Sequence, residues 1–198
     1  SGGSPGVRTM VQKVTYATDS TSRNPGSDLV SPGRYFAGAG NADTGFLMGR
    51  GASPTAYSTI LKFAYATETS SLHPSSMPYP VKSARGTGSL SDGYAAGGED
   101  GPGSPVYSTV SKLDYSTGTA SNLGTNMTRG EGINVLAVSA RDHGATGYRQ
   151  LKRWTDGGEI TPNNGYSIAG GSPMVTSTDR LSMSTDSVER VPGMNAYQ

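Results

Sequence analysis

The amino-acid sequence predicts an all-β protein built from a repeat of about fifty residues. One six-residue phrase occurs four times: a basic residue, then an apolar residue, then Tyr or Met at the fourth position and Thr at the sixth. The four copies occupy 13–18, 62–67, 112–117 and 180–185. Successive basic residues are 49, 50 and 68 positions apart, so the last interval carries an insertion of about 18 residues.

Composition is the second observation that favours β structure. Gly (29) and Pro (12) together make up roughly a fifth of the 198 residues, and they interrupt the chain too often for a long amphipathic helix. The stretch 109–115 alternates apolar and polar residues, which is typical of a strand with one buried face. Many short strands separated by Gly, Pro, Ser and Asn indicate a repeated all-β architecture.

Each unit is predicted to contain four strands in chain order. An inner strand is expected near 35–40, 84–90 and 133–140. A second phrase, at 38–46 and again at 86–94, with a shorter relative at 165–171, predicts a tight turn and then the second strand. The third strand carries the basic residue, as in 108–117. The fourth strand follows a turn former placed twelve residues after each basic residue: Pro25, Pro74, Gly124 and Pro192.

We therefore divide a single domain, 1–198, into units near 1–34, 35–83, 84–132 and 133–198, with the insertion at 149–164. The first unit contains only its third and fourth strands, so it is partial and the other three are complete. Unpaired strand edges tend to aggregate. We expect residues 9–18 to pair with distant strands: the segment 194–198, a second copy, or polypeptide beyond these residues. The chain is thus either part of a larger assembly of blades or one that associates with neighbouring copies.

Charge and cysteine content exclude several classes of protein. The net charge is +1, so neither nucleic acid nor an anionic membrane is an expected partner. With no Cys there are no disulfides, thiolate metal sites or thiol nucleophiles. No apolar run is long enough for a membrane span, and the absence of a signal peptide and an initiator Met is typical of a mature, processed or excised chain.

The repeat resembles the kelch family, whose units of about fifty residues each form one four-stranded blade of a β-propeller. The residues that carry this resemblance are the strand ending in Gly97 and Gly98, the third strand at 108–117, and an Arg before the inner strand, matched by Arg34 and by Arg85 and Arg129. The resemblance implies a kelch-like β-propeller fold, with Tyr16, Tyr65 and Tyr115 packed between blades. A looser similarity connects the chain with propeller arrays of phage and microbial surface proteins.

Catalytic patterns are absent from the sequence. His73 and His143, the only two histidines, lie in different units without recurring acidic partners, so they are interpreted as exposed turn residues rather than metal ligands. Asp19 and the pair Glu99 and Asp100 lie in polar turns where solvent accounts for them. We expect no enzyme activity, no metal and no cofactor; a propeller hydrolase with two converging carboxylates is the enzymatic alternative.

Two features are candidate contact sites. The insertion at 149–164 contains Arg149, Lys152, Arg153 and Trp154, the only Trp, and a distinctive loop on a repeat scaffold is a common place for ligand or partner binding. The alternative is that Trp154 packs its own hairpin against the scaffold. Asn126 begins an Asn-Met-Thr glycosylation sequon.

The sequence favours a non-enzymatic structural or surface protein. The expected setting is an extracellular filament, a virion appendage or a cell-surface assembly, with self-association as the main interaction. The alternative is a carbohydrate- or receptor-binding propeller module that uses its loops and the Trp154 insertion.

Overall fold

The computed structural model describes residues 9–15, 17–52, 54–101, 104–127, 136–139, 164–168, 179–182 and 185–190. Within these ranges the protein is all-β, as predicted, with one two-stranded and three four-stranded antiparallel sheets and no α-helix. None of the helical structure in these ranges is long and apolar enough to cross a membrane.

Strands β1 and β2 form the first sheet, and a short 3-10 helix at Pro25–Ser27 follows them. Each later sheet consists of four strands consecutive in the chain, paired in sequence order. The strands are β1 Gln12–Thr15, β2 Ser20–Arg23, β3 Ala37–Gly40, β4 Thr44–Ala52, β5 Thr55–Ala64, β6 Thr69–Val81, β7 Arg85–Gly88, β8 Asp92–Ala96, β9 Thr109–Asp114, β10 Ala120–Asn126, β11 Leu136–Ser139, β12 Asn164–Ile168, β13 Asp179–Ser182 and β14 Ser187–Arg190.

The sequence repeat is also a repeat of hydrogen-bonding register. In all three four-stranded sheets the basic residue of the third strand pairs with an aromatic residue of the second. These pairs are Phe46 with Lys62, Tyr94 with Lys112, and Tyr166 with Arg180. Because side chains of paired residues lie on the same face of a sheet, Phe46 lies beside Lys62 and Tyr94 lies beside Lys112.

The hairpin that joins the first and second strands is built in the same way in two units. The side chain of Asn41 accepts hydrogen bonds from the amides of Asp43 (3.0 Å) and Thr44 (2.9 Å). Ser89, 48 residues later, accepts from the amides of Ser91 (3.2 Å) and Asp92 (3.0 Å). Short polar side chains that satisfy the amides two and three residues on are typical of such turns, which explains why Gly, Ser, Asn and Asp recur here.

The turn that joins the third and fourth strands repeats in all four units. The residue six positions after the basic residue has a left-handed backbone in each: Asp19 (φ 47°), Glu68 (52°), Gly118 (67°) and Asp186 (51°). In three of these turns the hydroxyl one position before that residue is hydrogen-bonded, at 2.7 Å, to the hydroxyl one position after it. This position is a feature of the repeat that the sequence pattern alone did not reveal.

Tyr65 and Tyr115 occupy equivalent positions, as predicted. Each amide donates a hydrogen bond to the preceding hairpin, to the carbonyl of Asp43 (3.0 Å) and of Ser91 (2.9 Å) respectively. A Cβ added to the glycine on the neighbouring strand would lie 2.8 Å from the Tyr65 hydroxyl at Gly45, and 2.9 Å from the Tyr115 hydroxyl at Gly93. The glycine therefore recurs because the tyrosine covers it. Tyr16 lies outside the described residues.

In the β9–β10 turn the Asp114 carboxylate accepts hydrogen bonds from the amides of Ser116 (2.8 Å) and Thr117 (3.0 Å) and from the Ser116 hydroxyl (2.7 Å). These bonds hold the pKa of Asp114 below its usual range. The folded pKa is thus lower than the unfolded pKa, so the stabilisation is complete above the unfolded pKa, about 3.9, and is lost as the pH falls through the folded value.

We expect Asp114→Ala to lower Tm by roughly a few degrees at pH 7. The difference in Tm between Asp114→Ala and the unsubstituted protein should become smaller as the pH falls below about 4. Thermal unfolding across pH 2 to 7 measures this. Asp43→Ala, which alters an exposed turn carboxylate, is the control; a difference that persisted unchanged at pH 2 would contradict the assignment.

The repeated turn formers do not begin the fourth strand in any of the three units where the structure describes them, so that interpretation is wrong. Pro74 lies inside β6 and Gly124 inside β10, each within a register irregularity, at 72–76 and 122–126. Gly124 has φ 79°. A bulge interrupts the ladder locally, which suits a residue that lacks an amide hydrogen or one that has a left-handed backbone. Pro25 lies in a turn, the 3-10 helix at Pro25–Ser27, but this turn comes after β2, the fourth strand of the first unit, and not before it. Pro192 lies outside the described residues.

Strand β6 is the outer edge of its sheet and carries two further prolines, Pro78 and Pro80. Proline is tolerated on an edge strand because its missing amide hydrogen interrupts no pairing within the sheet. The inner edge of the same sheet is β3, with the sequence Ala-Gly-Ala-Gly.

Consecutive sheets pack face against face. Inner strand β3 contacts β7 and β7 contacts β11, while outer strand β6 contacts β10 and β10 contacts β14. One apolar core contains Phe46, Met48 and Ile60 of the second sheet together with Ala95 and Leu113 of the third. A second core joins the third and fourth sheets through Tyr94, Val110, Met127 and Leu181. Burial between units therefore stabilises the array.

The basic residue before the inner strand is Arg34 in one unit and Lys82 in the next. Each forms an isolated bridge, Arg34 with Gly51 of β4 and Lys82 with Glu99, which follows β8. The expectation that Arg85 is the counterpart of Arg34 is wrong, because Arg85 is the first residue of β7 itself. Arg129 lies outside the described residues.

Strand β1 pairs with β2, its neighbour in sequence. Among the described residues no other strand pairs with β1, and Gln12, Lys13 and Val14 are exposed. Pairing of residues 9–18 with a distant strand stays a prediction, since 194–198 lie outside the described residues.

Candidate functional site

The insertion residues Arg149, Lys152, Arg153 and Trp154 lie outside the described residues. Asn126 is the last residue of β10 and is exposed, and it pairs with Thr109. The next residue, Met127, is buried in the second core, and its amide donates a hydrogen bond to the carbonyl of Ser108 at 2.7 Å. Asn126 is therefore accessible to solvent, while Met127 beside it is not.

His73 is not an exposed turn residue, so that interpretation is wrong. It lies in β6, half-buried, and its ring meets the ring of Phe46 edge-on with centroids 5.7 Å apart. Its Nδ1 accepts a hydrogen bond from the amide of Ser75 at 3.2 Å. A Cβ added to Gly118 of the third sheet would lie 3.3 Å from the Cε1 and Nε2 atoms of His73, so His73 packs between the second and third sheets. His143 lies outside the described residues, and no three potential metal ligands cluster in the part of the chain that the structure describes.

Glu99 and Asp100 are held by protein groups rather than by solvent alone. Glu99 lies 3.8 Å from the buried ammonium of Lys82. Hydroxyl groups of Ser104 and Tyr107 hydrogen-bond Asp100 and hold the pKa of its carboxyl below its usual range. Both carboxylates thus order the β8–β9 connection, while Asp19, as expected, is exposed in its turn.

The strongest polar cluster lies between the third and fourth sheets. Lys112 Nζ is 2.7 Å from the Asp186 carboxylate and 3.4 Å from that of Asp92. The fully buried Tyr94 donates a hydrogen bond from its hydroxyl to Asp186 at 2.9 Å. Thr125 donates from its hydroxyl to the Asp186 carbonyl at 3.1 Å. Three side chains of one sheet thus bind one turn residue of the next.

We call this cluster the Asp186 junction (Tyr94, Lys112, Thr125 and Asp186, with Asp92), and it keeps the side chains of Tyr94 and Lys112 protonated. Burial and the nearby Asp186 raise the pKa of Tyr94 far above its ordinary value. Burial alone would lower the pKa of Lys112, but the hydrogen bond to Asp186 and the charges of Asp92 and Asp186 raise it overall. A protonated Lys and a protonated Tyr serve neither as base nor as nucleophile at neutral pH. The arrangement is suited to holding two sheets together.

The same junction occurs between the first and second units. Lys13 of β1 forms an ion pair with Glu68, which occupies the position of Asp186, and Asn24 donates to the same carboxylate at 3.1 Å. The hydrogen bonds from Lys13 and Asn24 hold the pKa of Glu68 below its usual range. This pair is more exposed than the Asp186 junction, so solvent weakens it more.

The middle interface replaces the ion pair by neutral contacts. Gly118 stands where Asp186 stands one unit later, and Phe46 and Lys62 stand where Tyr94 and Lys112 stand. Ser75 donates a hydrogen bond from its hydroxyl to the Gly118 carbonyl at 2.5 Å. Asp186 in the turn is therefore accompanied by Tyr94 on the preceding sheet, and Gly118 in the turn by Phe46.

Sequence reasoning missed this junction because its acid lies outside the phrase that was compared. The phrase ends five positions after the basic residue, and the decisive residue is one position further on. Aligning the four copies one residue longer shows Asp19, Glu68, Gly118 and Asp186 in one column.

No protein-family model matches this chain, and no curated protein is similar enough in sequence to be counted as a relative.

Proposed function

We propose that the chain is a non-enzymatic structural or surface protein, a subunit or segment of an extracellular filament, virion appendage or cell-surface assembly. The observation that carries this proposal is the polar junction between consecutive sheets. Its most buried groups, Lys112 and Tyr94, bind the turn of the next unit instead of facing an open cleft. The repeated residues that the structure describes pack one unit against the next, as scaffold residues do.

A kelch-like β-propeller, three units complete and one partial, is the arrangement we propose for these sheets. Each described four-stranded sheet is a meander in chain order, as a propeller blade is. Inner strands contact inner strands and outer strands contact outer strands from one sheet to the next. Radial packing of blades has this contact pattern.

Assembly is the property that tests the proposal. We expect the purified chain to form regular oligomers or arrays, because the outer units carry the same junction groups as the inner ones. Light scattering after size exclusion gives the mass, and negative-stain electron microscopy shows the order. A chain that stayed monomeric up to millimolar concentration would argue against an assembly subunit. Binding to a glycan array without self-association, abolished by Trp154→Ala, would favour the carbohydrate- or receptor-binding alternative.

A further inference from the structure

We propose that a second copy of this chain docks head to tail, with the β1–β2 turn of one copy against the fourth sheet of the other. Asp19 of the incoming copy would take the place next to Arg180 that Asp186 takes next to Lys112. This inference rests on the proposed function and names the partner: the chain itself. Because the two surfaces differ, the contact is heterologous and can propagate.

The β1–β2 turn of the incoming copy closely resembles the Asp186 turn, which lies in the Asp186 junction. Asp19 and Asp186 lie in the same tripeptide, Thr-Asp-Ser, at 18–20 and 185–187. Both aspartates have a left-handed backbone, φ 47° and 51°. In both turns the flanking Thr and Ser hydroxyls are hydrogen-bonded at 2.7 Å. The β1–β2 turn thus presents the carboxylate that the Asp186 turn presents, in the same backbone conformation.

The receiving side has the same residue types as the Asp186 junction, a Tyr and a cation, in the same register. Arg180 pairs in register with Tyr166, as Lys112 does with Tyr94. Arg180 forms an ion pair with Glu189 across its own sheet, yet its Nε is buried and has no hydrogen-bond partner among the described residues. A buried N–H without a partner is costly, and an incoming carboxylate would satisfy it.

The middle interface shows that the match is specific. There the turn residue is Gly118, and the preceding sheet carries Phe46, which has no hydroxyl to donate. The fourth sheet carries Tyr and a cation at the corresponding positions. In these two residue types the fourth sheet therefore resembles the third sheet, which binds an acidic turn, and differs from the second sheet. Among the acidic residues at this position in the described turns, Asp19 is the one whose carboxylate has no ion pair, because Glu68 and Asp186 already bind Lys13 and Lys112.

A second copy is the occupant because the two groups do not meet within one chain. Both Asp19 and Arg180 belong to the described residues, and no ion pair or hydrogen bond joins them there. Asp19 is exposed, and no hydrogen bond or ion pair involves its carboxylate among those residues. The exposed Asp19 carboxylate and the unpartnered Nε of Arg180 do not meet within one chain, and this complementarity favours intermolecular docking.

Neutral substitutions in the full chain test the contact. We expect Asp19→Asn and Arg180→Gln each to raise the concentration of half-assembly about tenfold or more in sedimentation velocity. Arg180→Lys, which copies Lys112, should retain assembly. Asp43→Asn and Arg190→Gln make the same charge changes at exposed positions elsewhere and should assemble like the unsubstituted chain. High salt should weaken association, because the contact is ionic.

Mixing the two variants gives the sharpest result. The Asp19→Asn copy keeps Arg180, and the Arg180→Gln copy keeps Asp19, so an equimolar mixture has one intact contact per pair and should stop at dimers. If the unsubstituted chain assembles and both variants assemble equally well, the docking inference is wrong while the proposed function survives. If the unsubstituted chain is monomeric throughout, both fail. If the protein is monomeric and both substitutions lower its Tm, then Asp19 and Arg180 meet within one chain. That result would overturn the docking of a second copy.

Discussion

Gly86→Ala is expected to destabilise the protein by about 3 kcal/mol, the upper part of the range for overpacking a tight interface. A Cβ at this position would lie 2.6 Å from the carbonyl carbon of Gly38 and closer still to that residue's nitrogen and oxygen. The obstacle is backbone, so no side-chain rotation relieves it. Inner strands β3 and β7 would have to move apart, which would open the core that Phe46 and Leu113 share. Chemical denaturation at low protein concentration measures the loss.

Gly38→Ala is the matched control because Gly38 stands at the same position one unit earlier. A Cβ there meets nothing within 4 Å among the described residues. Replacing a strand glycine that has open space around it reduces the entropy of the unfolded chain, so we expect a neutral or slightly stabilising effect. Equal losses in the two variants would mean that the close approach of β3 and β7 is not what makes Gly86 necessary.

Tyr115→Ala is the second large effect, also about 3 kcal/mol, because truncating a large aromatic leaves a cavity. The ring of Tyr115 stacks on that of Phe46 in the preceding sheet, with centroids 4.9 Å apart and an interplanar angle of 9°. Such a pair contributes beyond its buried area. The loss should appear as a lower denaturation midpoint with an unchanged denaturant m-value.

Tyr65→Ala provides the comparison within the same molecule. Tyr65 has the same place in its unit, yet it is 47% exposed and contacts Phe63 of its own sheet at a centroid distance of 6.1 Å. We expect a loss of about 1 kcal/mol or less. If Tyr65→Ala were as damaging as Tyr115→Ala, packing between sheets could not be the source of the Tyr115 effect.

The strands could be predicted because the same residue pattern occurs at the same positions in at least two units of the repeat. Periodicity identified the third strand through Lys62 and Lys112, and the recurrence of Gly45 and Gly93 located the second. The inner strands expected near 35–40 and 84–90 are β3 and β7. Register follows once two units align, since a slip by one residue would expose the buried face.

What the sequence did not show are features that depend on a neighbouring sheet. Pro74 suggests a turn when only its own segment is considered, but the edge position of β6 lets a proline lie inside the strand at a bulge. The role of Asp186 depends on Tyr94, 92 residues away in the chain, with which it is hydrogen-bonded. His73 is half-buried because of the sheet packed over it, and no local pattern encodes that contact.

The three prolines of β6 would restrict the directions in which the proposed assembly can grow. Each removes a donor from the outer rim of the second sheet, so another strand laid along that rim would find an interrupted ladder. Sideways fusion of two arrays through this edge is therefore disfavoured, whereas face-to-face stacking of sheets needs no edge amide. A particle built from this chain would elongate at constant width.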